Sequence, residues 1–283
     1  PVRISFSKSV TESLLAKIRS GEMMSRNEKF NLIIQLSIPS ILAQVTTVLM
    51  FYIDAGMVGS LGAEPSAAIG LVEPATWLFF SLVSAVTMGF SVQVAHFIGA
   101  NDFAKARAVM RHGYIFGLCF ALFLLLITFL IGYRLPVWLG GGADIQHDAT
   151  VYFLIFSLII PFHLIEYMSA AMLKVSGDMR RPSFMAILMC VLDVIFNYFF
   201  IFPTRTVSLF GVEVTMPGLG EGVAGAALGS LLSFVCVALP LAYYAIFRSP
   251  ILAWKQDVER FVWRWQYIWN AMKIGAPMAL QYL

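Results

Sequence analysis

This sequence predicts an all-α integral membrane protein: a six-helix transmembrane bundle followed by the start of a seventh helix. Three observations carry that prediction. Of the 283 residues, 59% are hydrophobic and only 12% charged, about half the charge of a soluble domain, and the mean hydropathy is +0.81. Six apolar runs are each long enough to cross a hydrocarbon core of about 30 Å, which takes about 20 residues. Finally, seventeen of the nineteen lysines and arginines fall in the tail and alternate loops, the pattern of a chain threaded with its cationic loops inside.

Residues 1–30 are mixed and charged, without the short apolar core of a signal peptide. They read as a cytoplasmic N-terminal tail with a short amphipathic helix at Val10–Ile18. The six-helix bundle occupies 31–247, with spans at Leu32–Val58, Ala67–Phe90, Tyr114–Tyr133, Val151–Leu173, Phe184–Phe202 and Val223–Phe247. With the N-terminus inside, the inner loops lie around 97–112 and 174–182, and the outer side holds only Arg134 and Arg205. A cytoplasmic linker covers 248–270, and 271–283 opens a second bundle. The seventh segment repeats the first: Ser37-Ile38-Pro39 and Gly275-Ala276-Pro277 each put a proline near the start of a span. Secondary transporters are often built from such repeats, so the expectation is a protein of about twelve spans, with the second six-helix bundle of the same chain as this unit's partner.

Four carboxylates interrupt the apolar runs: Asp54, Glu73, Glu166 and Asp193. Together they oppose insertion by roughly 10 kcal/mol before any pairing. A protein that handles protons or cations inside the bilayer has a reason to carry that cost. Asp193 is followed at i+4 by Asn197, on the same face one turn on. A carboxylate and an amide carbonyl form a hard oxygen pair, suited to H⁺ or Na⁺ rather than a soft metal. Asp54 lies far along the first span and reads either as an ion site or as a cap for the following turn. His163 and Glu166, three apart, read either as a relay with a coupling role for Glu166 or as a simple pair. Glu73, before Pro74, reads as an interfacial cap or as a wall of an outward cavity, with His163 and Tyr52 as other candidate cavity residues. Gly225 and Gly229 form a small-residue pair for close helix packing, and Ser230 beside them is placed to reach a site on the fifth span.

Aromatics make up 14% of the chain, with 14 methionines. A cavity of such residues with a nearby carboxylate suits bulky organic cations. Cys119, Cys190 and Cys236 lie in apolar runs without metal or disulfide spacing. No basic stripe with interleaved aromatics suggests nucleic acid. Membrane lipid is the expected surrounding.

Several segments, taken in order, resemble the multidrug and toxic compound extrusion (MATE) family. They are Asp54-Ala55-Gly56-Met57-Val58-Gly59, Gly99-Ala100-Asn101-Asp102 leading to Lys105-Ala106-Arg107, Leu173-Lys174-Val175-Ser176-Gly177-Asp178 with Arg181-Pro182, Asp193 to Phe202, and Gly222 to Ser230. The resemblance implies two facing six-helix bundles in the plasma (bacterial inner) membrane. It implies an antiporter exporting cationic drugs or toxic organic compounds in exchange for H⁺ or Na⁺, with no other cofactor and no enzymatic activity. It implies a coupling site of Asp54, Asp193, Asn197 and Ser230, with Na⁺ at the first three. Here the helix-five Asn and Asp of the family are exchanged in position, which keeps one carboxylate and one amide. The nearest alternative is a flippase for lipid-linked oligosaccharide or polysaccharide. Such proteins tend to carry cations in the cavity, whereas these span interiors carry carboxylates. An intramembrane aspartyl protease fits poorly, because neither aspartate follows a glycine.

Overall fold

The computed structural model describes residues 13–14, 16–17, 20–209, 212–256 and 261–281. The amphipathic helix expected at Val10–Ile18 lies largely outside the described residues. Among the described residues, six helices, or helix pairs in line, are long and apolar enough to cross a membrane.

Helix α1, Arg26–Gly59, opens with Ser25 as its cap. The Glu28 amide donates to the Ser25 hydroxyl at 3.2 Å and the Ser25 amide donates to the Glu28 carboxylate at 2.8 Å, which satisfies two amides that have no partner inside the helix. Pro39 lies within α1, which runs on through it. Helix α2, Ala63–Gly99, is followed by a turn in which Asn101 has φ +58°. Asp102 then caps helix α3, Phe103–Gly132, accepting from the Lys105 amide at 3.1 Å and pairing with its ammonium at 2.7 Å. That pairing with Lys105 holds the Asp102 carboxyl below its ordinary range. The turn between the fourth and fifth spans is built alike: Gly177 takes φ +95°, and Asp178 accepts from the Arg181 amide and pairs with its guanidinium. Two of the loop motifs are therefore helix-starting devices.

After a short helix α4, Leu135–Trp138, the fourth span is two helices rather than one. Helix α5, Gln146–Ser157, stops at Leu158, and α6, Ile159–Val175, resumes at once. The cause is Pro161, which has no N–H for the Ser157 carbonyl and whose ring crowds it. Helix α7 covers Arg180–Ile201 and α8 covers Gly222–Tyr243, with a π-helical turn at Tyr244–Arg248 shortly after Pro240. The connection between α7 and α8, outside the all-α class expected, is an antiparallel hairpin of β1, Pro203–Leu209, and β2, Val212–Leu219, with Arg205 opposite Met216. Helix α9, Trp265–Gln281, begins six residues before the expected Ala271.

Neighbouring spans run antiparallel, and α1 lies alongside α7 in the same direction: Ser40 meets Met179 near the start of both and Asp54 meets Asn197 further along. The main core gathers α2, α3, α5 and α6 around Phe90, Met110, Phe153, Leu164 and Met168, all essentially inaccessible. Helix α1 is peripheral: only 11% of its apolar window is buried, against 61% for α2. The interfaces of α7 with α8, α1 with α7, and α2 with α9 are among the largest.

Candidate functional site

The site grows from the spacing on α7. Asp193 and Asn197 are one turn apart on one face, and each is 1% exposed. Two neighbours press on that face. Helix α8 approaches so closely that a Cβ on Gly225 would overlap the Phe200 backbone, and one on Gly229 would overlap the Asn197 side chain. Glycine at these positions is what lets the two backbones meet. From the other side α1 brings in Asp54, half-buried.

Asn197 joins the two acids. Its Nδ2 donates to Asp54 Oδ1 at 3.0 Å and to Asp193 Oδ2 at 2.9 Å. Both amide protons are used on carboxylates from different helices, and the carbonyl Oδ1 lies buried against Gly229 with no partner among the described residues. Asp54 also interacts directly with Asp193. The other Asp193 oxygen, Oδ1, lies 3.2 Å from Ser233 Oγ on α8. Ser233 Oγ also reaches the Ser230 carbonyl at 2.8 Å. A hydroxyl has one proton, and the shorter contact takes it. The Ser233 oxygen is then open to accept a proton from a protonated Asp193. Two acids joined by a neutral donor repel each other, and uptake of H⁺ or Na⁺ relieves that repulsion.

The sequence-predicted residues divide into two groups. Asp54, Asp193 and Asn197 come together, and the Ser230 and Ser233 hydroxyls both stand within hydrogen-bond reach of Asp193. The capping alternative for Asp54 does not hold, because its carboxylate is bonded to Asn197 while the next helix starts after Gly62. The His163–Glu166 pair does not form. Among the described residues, neither ring nitrogen of His163 has a hydrogen-bond partner. The ring stacks on Phe80, with centroids 4.5 Å apart and planes 17° apart, and meets Phe234 edge-on. Glu166 interacts with Lys174 two turns on and takes no part in the hydrogen bonds around Asp193. Glu73 is exposed on α2 and accepts from Trp77 Nε1 at 3.3 Å. Tyr52 is 74% exposed on the outer face of α1, away from the cluster.

Two residues escaped the sequence reading. Ser233 is one turn beyond Ser230, and that repeat of hydroxyls on one face was the available signal. Tyr152 on α5 lies in the electrostatic field of Asp54, Asp193 and Glu73. It packs against the cluster of Val58, Ile201 and Ala226 where α1, α7 and α8 meet.

Known proteins share this arrangement of helices. The chain is 25% identical over 258 residues to a probable multidrug resistance protein NorM of Neisseria meningitidis, covering 90% of this chain and 53% of that protein. It is 24% identical over 250 residues to a probable multidrug resistance protein NorM of Thermotoga maritima, covering 88% and 51%. Among solved structures, an outward-facing multidrug resistance MATE family transporter of the MOP superfamily superposes with a TM-score of 0.80 at 22% identity, covering 98% of this chain and 55% of that one. A MOP superfamily transporter from Pyrococcus furiosus gives 0.78 at 24% identity, covering 89% and 52%. At these identities the structures show the shared fold. The chain spans about half the length of the curated relatives it matches. The MatE family model matches residues 39–199, more than half of the sequence, and the chain belongs to that family.

Proposed function

We propose that the complete protein is a secondary active antiporter, a transporter and not an enzyme, that exports cationic drugs or other organic compounds in exchange for H⁺ or Na⁺. Its coupling site is the cluster of Asp54, Asp193 and Asn197, with Ser230 and Ser233 at its edge. The observation that carries this reading is one buried amide donating to two carboxylates from different helices. The names of the relatives, probable multidrug resistance proteins, supply the substrate class. They also disfavour the flippase.

In this reading residues 31–247 are one bundle of a two-bundle transporter, 248–270 link it to the next, and α9 opens the second bundle. The N-terminus faces the cytoplasm, because the tail and the alternate loops on its side of the bundle hold seventeen of the nineteen lysines and arginines. An incoming cation neutralises the acids, α1 repacks against α7, and Pro39, which lacks an amide proton, is where α1 bends. The population then shifts toward the form that has released its cargo. Phe51 and Trp77, tilted together at 5.3 Å and each more than two-fifths exposed, give the adjoining face an aromatic wall for a flat organic cation.

The test is export of a cationic dye by proteoliposomes holding the full-length protein, driven first by a pH gradient and then by a Na⁺ gradient. The expected result is gradient-driven export that Asp54→Asn and Asp193→Asn each abolish. Export at the unaltered rate in either variant would refute the proposal.

A further inference from the structure

The approach to α9 is bound to the first bundle through a set of side chains that the transport cycle sketched above does not use. Arg107 Nη1 donates to the Ile251 carbonyl at 3.0 Å, Arg111 Nη2 to the Trp254 carbonyl at 2.7 Å, and Gln93 Nε2 to the Tyr267 carbonyl at 3.0 Å. The fourth member is His112, whose side chain is inaccessible to solvent. Its Nδ1 lies 2.6 Å from the Ala108 carbonyl, and its Nε2 lies 2.8 Å from the Arg264 backbone nitrogen.

Those two partners fix its chemistry. A carbonyl only accepts, so Nδ1 carries the proton. A backbone N–H only donates, so Nε2 is bare. The bonds therefore require one neutral tautomer. Protonation at Nε2 would set a donor against the Arg264 N–H and orphan both inside a closed socket. The socket walls are the rings of Trp263, Phe261 and Tyr267, with centroids 4.8, 4.8 and 5.2 Å from the imidazole. Rings attract a cation, but they provide no acceptor for a second N–H. Among the described residues, Arg264 is the charged group acting on His112 from the linker, Tyr267 is the titratable group facing it from α9, and Arg111 is its neighbour on α3. Lys105, one further turn back, acts on both Arg264 and Tyr267.

We propose that His112 is the positioning residue that seats residues 261–267, and with them the entry of α9, on the first bundle, and that only its neutral form does so. The arginine and glutamine bonds do not titrate near neutrality, so acidification releases the histidine point alone and loosens the linker at its α9 end. The consequence for transport rests on the two-bundle reading above, whereas the seating itself does not.

The experiment is hydrogen exchange of the peptide covering 261–267 in the full-length protein in lipid nanodiscs, from about pH 8 to about pH 5.5, the range in which histidine changes charge. Two variants are compared at each pH, which cancels the intrinsic pH dependence of exchange. His112→Gln keeps a neutral acceptor for the Arg264 amide and does not titrate. His112→Phe fills the socket and accepts nothing. Expected at high pH are equal protection of the unaltered protein and the glutamine variant, and exchange about tenfold faster in the phenylalanine variant. Expected at low pH is exchange about tenfold faster in the unaltered protein than in the glutamine variant. An unaltered protein that tracks the glutamine variant throughout would overturn the proposal. If the phenylalanine variant does not fold, the glutamine comparison alone decides. Dye export by Asp54→Asn reports on the coupling site and is independent of either outcome.

Discussion

At the level of single residues, the arrangement around Asn197 makes sharp demands. Its two donated bonds tie Asp54 to Asp193 through a neutral group. Asn197→Leu removes both donors, one from each carboxylate. The expected cost is about 1–3 kcal/mol for each carboxylate, measured as a lower melting temperature in detergent at neutral pH. Ser233→Ala removes one neighbour of Asp193 and should cost about 1 kcal/mol. Glu166→Gln should leave ion-driven export intact, because Glu166 stands outside the cluster; loss of coupling in that variant would show that a second acid takes part. Asp54, Asp193 and Asn197 were legible because charge inside an apolar run is costly and an i, i+4 pair shares a face. Ser233 was not, since serine is common in membrane helices and only the rotation of α8 tells that a second hydroxyl joins Ser230 at Asp193. His112 was hidden for a different reason: it follows Arg107 and Arg111 in a stretch that reads as an ordinary inner loop.

At the level of elements, the six spans were readable from the apolar runs, and their true ends lie in polar devices at the margins. Ser25 with Glu28, Asp102 with Lys105 and Asp178 with Arg181 start three helices. The break between α5 and α6 had a visible cause in Pro161, yet hydropathy passes through it unchanged. The hairpin of β1 and β2 escaped although Val212-Glu213-Val214-Thr215-Met216 alternates apolar and polar residues: the run is short, and Pro203 and Pro217 at its margins read as loop. The contact of α8 with α7 depends on missing side chains. Gly229→Ala places a methyl group onto the Asn197 amide. The helices must part or the amide must turn, at an expected cost of about 1–3 kcal/mol. The same variant should weaken ion-driven dye export even though every acid is retained, since the carboxylates lose their common donor.

On the scale of the whole molecule, α1 and α9 contrast. Helix α1 carries Asp54 yet buries little of its apolar surface, with Ile41, Leu42, Leu49 and Tyr52 all more than half exposed. A helix held mainly along one neighbour is free to change its packing. Helix α9 is held far more tightly. Gly89 of α2 lies so near Ala271 that a Cβ there would overlap the α9 backbone, and Gly275 meets Ala85 in the same way. The sequence showed α9 only as an echo of α1 and could not show what it touches, because small residues announce closeness without naming the partner. This crossing means that the continuity of the backbone between Gln256 and Phe261 is not what keeps the two sides together. A protein severed there and expressed as two polypeptides should be recovered as a single particle in mild detergent, and bulky replacements at both Gly89 and Gly275 should let the pieces come apart.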